Sequence, residues 1–345
     1  MKVKHINLEF EMKGKGIVNY DSKGQKHIWI AKTEEVKNTK MVNIHGNCLY
    51  SKKAYFRREN GMLDYKVKIS SEALRKAIFG EDAIATNSSI SAHKTLLNSF
   101  IGSVMGLTRG YVFTTKEQIK RKSPLTITPA IQTCNSESFF EICTKSGEKT
   151  LNKSKAKKDK DQSTENSNDT SLFNRETIGD IKYSGEGFID LVGLGFISAD
   201  PIFDRCAFNA DDYELLEQFL EKNIPNFKGQ LGYHKLKTAS VEEAEYGVSL
   251  SEENVLFLVK EILKRIASLR INRGGAYAEL THLKVELVID PLDKSKNIKI
   301  DINGLEDIEN LDFSPDSFYK LVEGDQVLEA RKKIKEALME SNKKK

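Results

Sequence analysis

The sequence has little of what marks secreted, membrane or disulfide-stabilised proteins. Its four cysteines, Cys48, Cys134, Cys143 and Cys206, form neither a CxxC pair nor the spacing of a metal site, which is typical of isolated thiols in a reducing cytoplasm. No uncharged apolar run approaches the roughly 20 residues of a membrane-spanning helix. Residues 1–16 are charged throughout and have no apolar stretch of a signal peptide. We therefore expect a cytoplasmic protein with no membrane partner.

Motifs for nucleotide, metal and covalent chemistry are missing as well. The sequence has no GxxxxGK[ST], HExxH or GxSxG, and the glycines at 185, 187, 193 and 195 do not complete GxGxxG. Six histidines are scattered along the chain, with no partner at the spacing of a metal site. These absences predict no metal, no cofactor and no enzymatic activity.

The chain instead has an uneven distribution of charge. Its 345 residues are 39% hydrophobic, with 17 Phe and 11 Tyr, which suffices for a core of two domains or of one elaborated domain. Residues 1–170 hold 30 Lys and Arg against 18 Asp and Glu, a net charge of +12, whereas residues 171–345 hold 24 against 32, a net charge of −8. A basic half joined to an acidic half predicts a polyanion partner and permits contacts between copies of the chain.

Predicted strands and helices alternate without a regular βαβ repeat, so the sequence indicates an α+β fold. The strongest helix runs from Glu252 to about Leu269, and an apolar stripe predicts another from about Ser89 to Val104. Turn residues between 223 and 248 predict a projecting hairpin. The lysine-rich run 145–171 has almost no apolar residues and predicts a flexible loop.

Basic residues recur beside glycine, serine or aromatic residues in five segments. These segments are GLTRGY (106–111), KRKSP (120–124), NRET (174–177), KYSG (182–185) and LRINRGGAY (269–277). Arg and Lys bind phosphate, Ser and exposed backbone N–H groups add hydrogen bonds, and aromatic rings stack on unpaired bases. Together the segments favour binding of single-stranded nucleic acid.

The same segments resemble the CRISPR-associated Cascade backbone subunit, the Cas-seven family of the RAMP superfamily, and are most similar to its minimal type I-F variant branch. The stretches that carry the resemblance are GIVNY (16–20), SVMGLTRGYVF (103–113), IKRKSPL (119–125), SLFNRETIGDIKYSGEGFIDLVGLGFIS (171–198), FDRCA (203–207) and EYGVSLSEENVLFLVKEILKRIASLRINRGGAYAEL (245–280). Residues 21–68 and 290–345 match this pattern poorly.

The resemblance implies an RRM-like (ferredoxin-like) core with inserted web or finger segments and a projecting thumb hairpin near 223–248. The implied organisation is residues 1–144 for the first part of the core with the finger or web insertion, 145–171 for the flexible lysine-rich loop, 172–305 for the rest of the core with the thumb, and 306–345 for a C-terminal helical tail.

The resemblance also implies a function: a crRNA-binding backbone subunit of a type I Cascade surveillance complex, which polymerises along the guide spacer and presents it to target DNA. The implied partners are CRISPR RNA, target DNA through the guide, other copies of the chain and other Cascade subunits at the filament ends. The implied RNA-binding residues are Arg109, Lys120, Arg121, Lys122, Ser123, Arg175, Lys182, Arg270 and Arg273. The implied thumb residues, which would displace a base, are Phe227, Lys228, Tyr233, His234 and Lys235.

Two other functions stay open at the level of the sequence. One is a single-stranded RNA-binding module unrelated to CRISPR. The other is an endoribonuclease that processes CRISPR RNA, for which His27, His45 and His234 are the available acids or bases, although none lies in a recognisable motif.

Overall fold

A computed structural model describes residues 2–20, 48–49, 51–59, 61, 63–80, 93–114, 118–136, 138–145, 171–273, 275–316 and 318–343. Within these residues the fold is a mixture of α-helices and β-sheets, which agrees with the predicted α+β class at this level. None of the described helices is long and apolar enough to cross a membrane.

The secondary structure of the described residues is dominated by strands. The strands are β1 (Lys2–Val3), β2 (His5–Lys15), β3 (Cys48–Leu49), β4 (Lys53–Arg57), β5 (Leu63–Ile69), β6 (Tyr111–Thr114), β7 (Gln118–Arg121), β8 (Leu125–Ile127), β9 (Ala130–Gln132), β10 (Ser138–Lys145), β11 (Ser171–Ile178), β12 (Asp180–Ile189), β13 (Phe196–Ser198), β14 (Gly229–Leu236), β15 (Glu245–Leu250), β16 (Arg270–Arg273), β17 (Ala276–Val288), β18 (Ile298–Ile302), β19 (Ser314–Pro315) and β20 (Tyr319–Val322). The helices are α1 (Ser71–Phe79), α2 (Lys94–Ile101), α3 (Val104–Arg109), α4 (Leu191–Leu194), α5 (Tyr213–Asn223), α6 (Glu252–Ala267), α7 (Leu305–Glu309) and α8 (Gly324–Lys343).

The main sheet has the strand order β16-β17-β2-β12-β9-β5-β4, with β18 paired to β17 and β8 paired to β12. Strand β2 alternates strictly, so that its Leu8, Phe10 and Met12 are buried while the residues between them are at least partly exposed. Helix α6 packs against β17 and α1 and contributes its apolar stripe to the core on the buried side of the sheet. On the opposite face, the side chains of β2 and β12 are at least partly exposed within the part of the chain that the structure describes.

Helix α6 closely follows the sequence prediction. The Ser251 side chain accepts a hydrogen bond from the Asn254 backbone N–H and caps the helix. The helix ends at Ala267, two residues before the predicted end, and Arg270 already begins the edge strand β16. The predicted helix from Ser89 to Val104 is wrong in its extent: residues 93–109 form two short helices, because Gly102 ends α2 and Ser103 caps α3.

The predicted projecting thumb at 223–248 is wrong. Its strands β14 and β15 lie in the middle of a four-stranded sheet of order β13-β15-β14-β20. The outer edge of β14 pairs with β20, which comes from the region predicted as a helical tail. Since both strands have a partner on each side, the hairpin is part of the protein body.

The predicted loop 145–171 is too long at both ends. Strands β10 and β11 pair continuously from Ser138 with Ile178 to Lys145 with Ser171, so residues 145 and 171 belong to strands. The remainder of the run, residues 146–170, lies outside the described residues. The residues on its two sides therefore form one antiparallel hairpin, whose strand β11 also pairs in parallel with β3.

Candidate nucleic-acid interface

Two of the predicted RNA-binding residues, Lys182 and Arg270, lie in one row on the solvent face of the main sheet. Lys182 of β12 is opposite Lys13 of β2, Lys13 is opposite Glu279 of β17, and Glu279 is opposite Arg270 of β16. Directly opposed residues of antiparallel strands have Cβ atoms about 4.5–5.5 Å apart. The register therefore places three exposed cations and one carboxylate across four strands; we call Lys13, Lys182 and Arg270 the basic row.

The neighbouring row has a polar and aromatic character. Lys15 is opposite Tyr277, and Tyr277 is opposite Asn272, each two residues from a member of the first row and therefore on the same face. The Arg270 Nε donates a hydrogen bond to Asn272 Oδ1 at 3.3 Å, which links the two rows at the edge strand. This end of the sheet presents cations, an amide and a ring, together with the exposed Asp180 of β12, which lies opposite Lys15.

The other end of the same face is acidic. Continuing along β2, Glu11 is opposite Ser184 and Glu9 is opposite Glu186. On β17, Glu286 is opposite Asn7, whose side-chain amide donates a hydrogen bond to its carboxylate at 2.8 Å. The pKa of Glu286 is lowered mainly by this hydrogen bond, which favours the charged form. One face of the sheet therefore has a cationic end and an anionic end.

The basic row is only lightly neutralised. The Lys13 Nζ is 3.6 Å from Glu279 Oε1, and both side chains are solvent-accessible. Exposed pairs of this kind contribute about 0–1 kcal/mol, so a phosphate oxygen can replace the carboxylate at little cost. The row can therefore offer Lys182, Arg270 and Lys13 to a chain of phosphates.

A second group of predicted residues lines a cleft of about 500 Å³. Lys120, Lys122 and Ser123 contribute to its wall, together with Asp204 and Arg205. The Lys120 ammonium is paired with the Asp204 carboxylate, and the Ser123 hydroxyl donates a hydrogen bond to the Leu125 carbonyl at 2.9 Å. Lys122 is the exposed cation of the KRKS segment.

Arg121, in the middle of that segment, is a structural residue, and its prediction as an RNA contact is wrong. Its side chain is only 6% exposed and shares the buried face of β7 with Ile119. The guanidinium donates to backbone carbonyls in two separate segments. These bonds are Nε to Leu107 O at 3.2 Å, Nη1 to Phe196 O at 2.7 Å, and Nη2 to Gly193 O at 3.0 Å and Leu194 O at 3.2 Å. The donors that would bind phosphate are already occupied inside the core.

The other predicted arginines lie in three separate places. Arg109 ends α3 and is half-buried, and its carbonyl accepts a hydrogen bond from Arg75 Nη2 at 2.8 Å. Arg273 is exposed, and its Cζ lies 5.7 Å from the centre of the Tyr20 ring. Arg175 lies on β11, opposite Glu141 of β10, and its side chain is outside the described residues. The structure does not place these three arginines in the basic row.

The predicted thumb residues are mostly engaged in packing. His234 is 2% exposed, and its Nε2 is 2.9 Å from the Gln230 carbonyl; burial lowers its pKa and so favours the neutral ring. Tyr233 packs edge-on against Tyr246. The remaining three are Phe227, which packs against the core, Lys228, which is 3.3 Å from Glu253, and Lys235, whose Nζ donates to Ala239 O at 2.5 Å.

His234 consequently cannot reach a base or a scissile phosphate in this conformation, which corrects both roles considered for it. The other two candidate acids or bases, His27 and His45, lie outside the described residues.

Sequence reasoning missed Lys13, Lys15 and the hairpin of β4 and β5. The hairpin carries Tyr55 and Tyr65 directly opposite each other, with cations around them. The signal was available as aromatic residues alternating with Lys and Arg in KKAYFRR (52–58) and YKVK (65–68). Lys13 and Lys15 gave no local signal, because their relevance depends on strands that are remote in sequence.

The family model described as type I-Fv CRISPR-associated protein Cas7fv-like matches residues 2–314. No curated protein matches the sequence. Among solved structures, a chain of a CRISPR RNA-guided surveillance complex is similar with a TM-score of 0.36 and 9% sequence identity, over 89% of this chain and 81% of that chain. A chain of a CRISPR RNA-guided surveillance complex in a pre-nicking state is similar with a TM-score of 0.37 and 8% identity, over 82% of this chain and 78% of that chain.

Proposed function

The chain belongs to the family of type I-Fv CRISPR-associated Cas7fv-like proteins, and we propose that it is a crRNA-binding backbone subunit of a type I CRISPR surveillance complex. It polymerises along the guide, holds the guide phosphates and leaves the bases to pair with target DNA. Its partners are the CRISPR RNA, target DNA through the guide, further copies of itself and other subunits at the ends of the filament.

The observation that carries the proposal, beyond the family, is the basic row across the solvent face of the sheet. Lys13, Lys182 and Arg270 come from three strands and are held in register by the backbone hydrogen bonds of the sheet. Phosphate contacts give affinity and position without reading sequence. A subunit that binds any guide needs this kind of contact, because sequence recognition is left to base pairing.

The sheet order supports the RRM-like core that the family implies. If β2, β9, β12 and β17 are taken as the first to fourth strands, their order in the sheet is 4-1-3-2, which is typical of ferredoxin-like folds. Helix α1 lies between the first two of these strands in sequence, and α6 lies between the last two. In RRM domains the solvent face of such a sheet binds RNA.

The distribution of charge supports polymerisation. The cationic and anionic ends of one sheet face, together with net charges of +12 on residues 1–170 and −8 on residues 171–345, allow head-to-tail contact between copies. A head-to-tail contact that does not close into a ring produces an open filament.

A binding role, without catalysis, is part of the proposal. Incubation of the protein with repeat-containing RNA tests the endoribonuclease alternative: discrete products would favour it. A protein that binds any single strand as a monomer and never forms helical oligomers on a guide would favour the RNA-binding module unrelated to CRISPR.

The decisive experiment measures guide-RNA affinity at several salt concentrations for Lys13→Ala, Lys182→Ala and Arg270→Ala. Each substitution removes one cation from a phosphate, which should cost on the order of 1–3 kcal/mol and lower the salt slope by about one. The decrease in affinity should be similar for unrelated guide sequences.

Lys284→Ala is the matched control. Lys284 lies on β17 opposite Glu9, on the same face but at the acidic end. The control should change affinity by no more than about 0.5 kcal/mol. If the three basic-row variants fold normally and match Lys284→Ala in affinity and slope, the RNA does not cross this face.

A further inference from the structure

The β4–β5 hairpin presents a pair of aromatic rings to solvent. Tyr55 and Tyr65 are directly opposed across the two strands, with ring centres 6.5 Å apart and planes inclined by 56°. They are 52% and 48% exposed. An aromatic side chain buries about 150–250 Å² when it is packed in a core. Two neighbouring rings that are half-exposed therefore leave an apolar surface accessible to a ligand.

Cations surround the rings. The Lys53 Nζ lies 4.4 Å from the centre of the Tyr65 ring, and on the other face of the hairpin the Lys66 Nζ lies 5.8 Å from the centre of the Phe56 ring. Residues 52–68 contain six Lys and Arg against one Glu and one Asp. A docking site for an apolar protein segment would be lined by aliphatic side chains, whereas rings interleaved with cations match the alternation of bases and phosphates in a single strand.

The base of the hairpin is firmly anchored. The buried carboxylate of Glu176 accepts hydrogen bonds from the Ser51 backbone N–H at 2.9 Å and from the Ser51 hydroxyl at 2.8 Å, and its other oxygen is 3.2 Å from Lys53 Nζ. On the other strand, the Val67 backbone N–H donates to Gln132 Oε1 at 3.1 Å, and the Val67 side chain is buried. The rings are therefore carried on a rigid support, which lowers the entropy cost when a ligand stacks on them.

The hairpin continues the same sheet as the basic row, with its two tyrosine rings on the other face. Lys68 of β5 is opposite Ile131 of β9, and Ile131 is opposite Ser184 of β12, two residues from Lys182. With strands about 4.8 Å apart, the six steps from β16 to β4 span about 29 Å. Lys66 and Phe56 share the face of Lys68 and the basic row, whereas Tyr65 and Tyr55 lie on the opposite face with the buried Val67. A strand that crosses the basic row therefore reaches the rings by passing over the edge strand β4.

We propose that the β4–β5 hairpin is a stacking site for unpaired bases of a single-stranded nucleic acid, with Tyr55 and Tyr65 as the stacking rings. The site deepens the proposed function, on which it rests, by adding base stacking to phosphate contacts. Arg57, which is exposed and lies two residues from Tyr55 on the same face of β4, holds an adjoining phosphate.

The test compares a short RNA oligonucleotide with an abasic chain of the same length, which keeps the phosphates and lacks the bases. The full-length protein should bind the base-carrying oligonucleotide more tightly by about 5-fold to 150-fold for each stacked base. The double variant Tyr55→Leu/Tyr65→Leu should lose this preference and bind both chains alike. Tyr55→Phe/Tyr65→Phe should retain it, because Phe keeps the ring and removes only the hydroxyl.

Phe188→Leu is the control, since Phe188 is also a partly exposed ring on the main sheet but packs against His5 at the acidic end. It should keep the full preference for bases. Circular dichroism verifies the fold of every variant, and matched RNA and DNA oligonucleotides show whether the bases come from guide or from DNA. An unchanged preference in the Leu double variant overturns the proposal, as does a change in self-association of that variant with unchanged oligonucleotide binding.

The two proposals fail separately. Loss of guide binding in the basic-row variants with an unchanged base preference supports both sites. A base preference that depends on the rings, in a protein that never assembles on guide RNA, supports the stacking site and contradicts the backbone-subunit function.

Discussion

Replacement of Arg121 by Met tests whether the central cation of the KRKS segment supports the fold or binds nucleic acid. Met keeps an unbranched apolar side chain in the site and removes every donor. Four carbonyls, those of Leu107, Gly193, Leu194 and Phe196, are then left without the guanidinium that satisfies them. The variant should therefore lower the free energy of unfolding.

The magnitude follows from two opposing effects. Hydrogen bonds from a charged donor contribute about 1.5–3 kcal/mol each, so four of them amount to roughly 6–12 kcal/mol. The guanidinium is taken out of water, which lowers its pKa and offsets several kcal/mol of that gain. We expect a net loss of about 3–5 kcal/mol for Arg121→Met, the range typical of a buried charged network that is deprived of one partner.

Urea unfolding of Arg121→Met and of Lys122→Ala decides the question. Lys122 is the exposed neighbour, and its removal should change stability by no more than about 0.5 kcal/mol. Among molecules that remain folded, Arg121→Met should keep the salt slope of RNA binding. An unchanged urea midpoint together with a salt slope lowered by about one would show that Arg121 binds a phosphate, and the structural role would be refuted.

Three further predictions concern the same fold. Gly110→Ala should lower the urea midpoint, because the φ of Gly110 is 76° and a Cβ there would lie 2.6 Å from the Arg121 carbonyl oxygen. The free energy of unfolding should decrease by about 2–4 kcal/mol, and an unchanged midpoint would contradict the close packing of this turn. His234→Gln should reduce the decrease in the free energy of unfolding between pH 7 and pH 5. Burial lowers the His234 pKa, so the contribution of the neutral ring to the free energy of unfolding is complete above the unfolded pKa of about 6.5 and is lost as the pH falls toward the folded pKa. Parallel wild-type and variant curves in urea titrations at each pH would show that this ring does not control the effect. Arg331→Ala should increase the rate at which a protease cleaves in α8, because Arg331 Nη2 is 2.8 Å from the buried Asp200 carboxylate and anchors the helix. Lys332→Ala is the exposed control, and equal cleavage rates for the two variants would refute the anchoring role.

Local patterns in the sequence are reliable where a local interaction sets the structure. The apolar stripe and the Ser251 cap define α6, since both depend on residues within a few positions of each other. The alternation rule for strands also marks Arg121 as an inward residue, because it lies two positions from the apolar Ile119. The prediction for Arg121 as an RNA contact is wrong because it rests on charge, which does not tell the side of the strand that a residue faces.

The thumb prediction fails for a reason outside the hairpin itself. Turn signals between 223 and 248 correctly indicate two antiparallel strands, and β14 and β15 are present. Whether such a hairpin projects depends on what pairs with its edges. Here β20, about 80 residues further along the chain, supplies hydrogen bonds to the outer edge of β14, with Leu321 directly opposite His234.

By itself, the sequence determined the family, the mixed α/β class, the charge asymmetry and the residue types that bind phosphate. Only the tertiary structure decided which cations act together. Lys13, Lys182 and Arg270 are separated by long stretches of chain, and they share a face because backbone hydrogen bonds and the buried side of the sheet fix the register of β2, β12, β17 and β16. A shift of one residue in β2, β12 or β16 would turn its cation toward the core side, so the register, which no local pattern encodes, determines the interface.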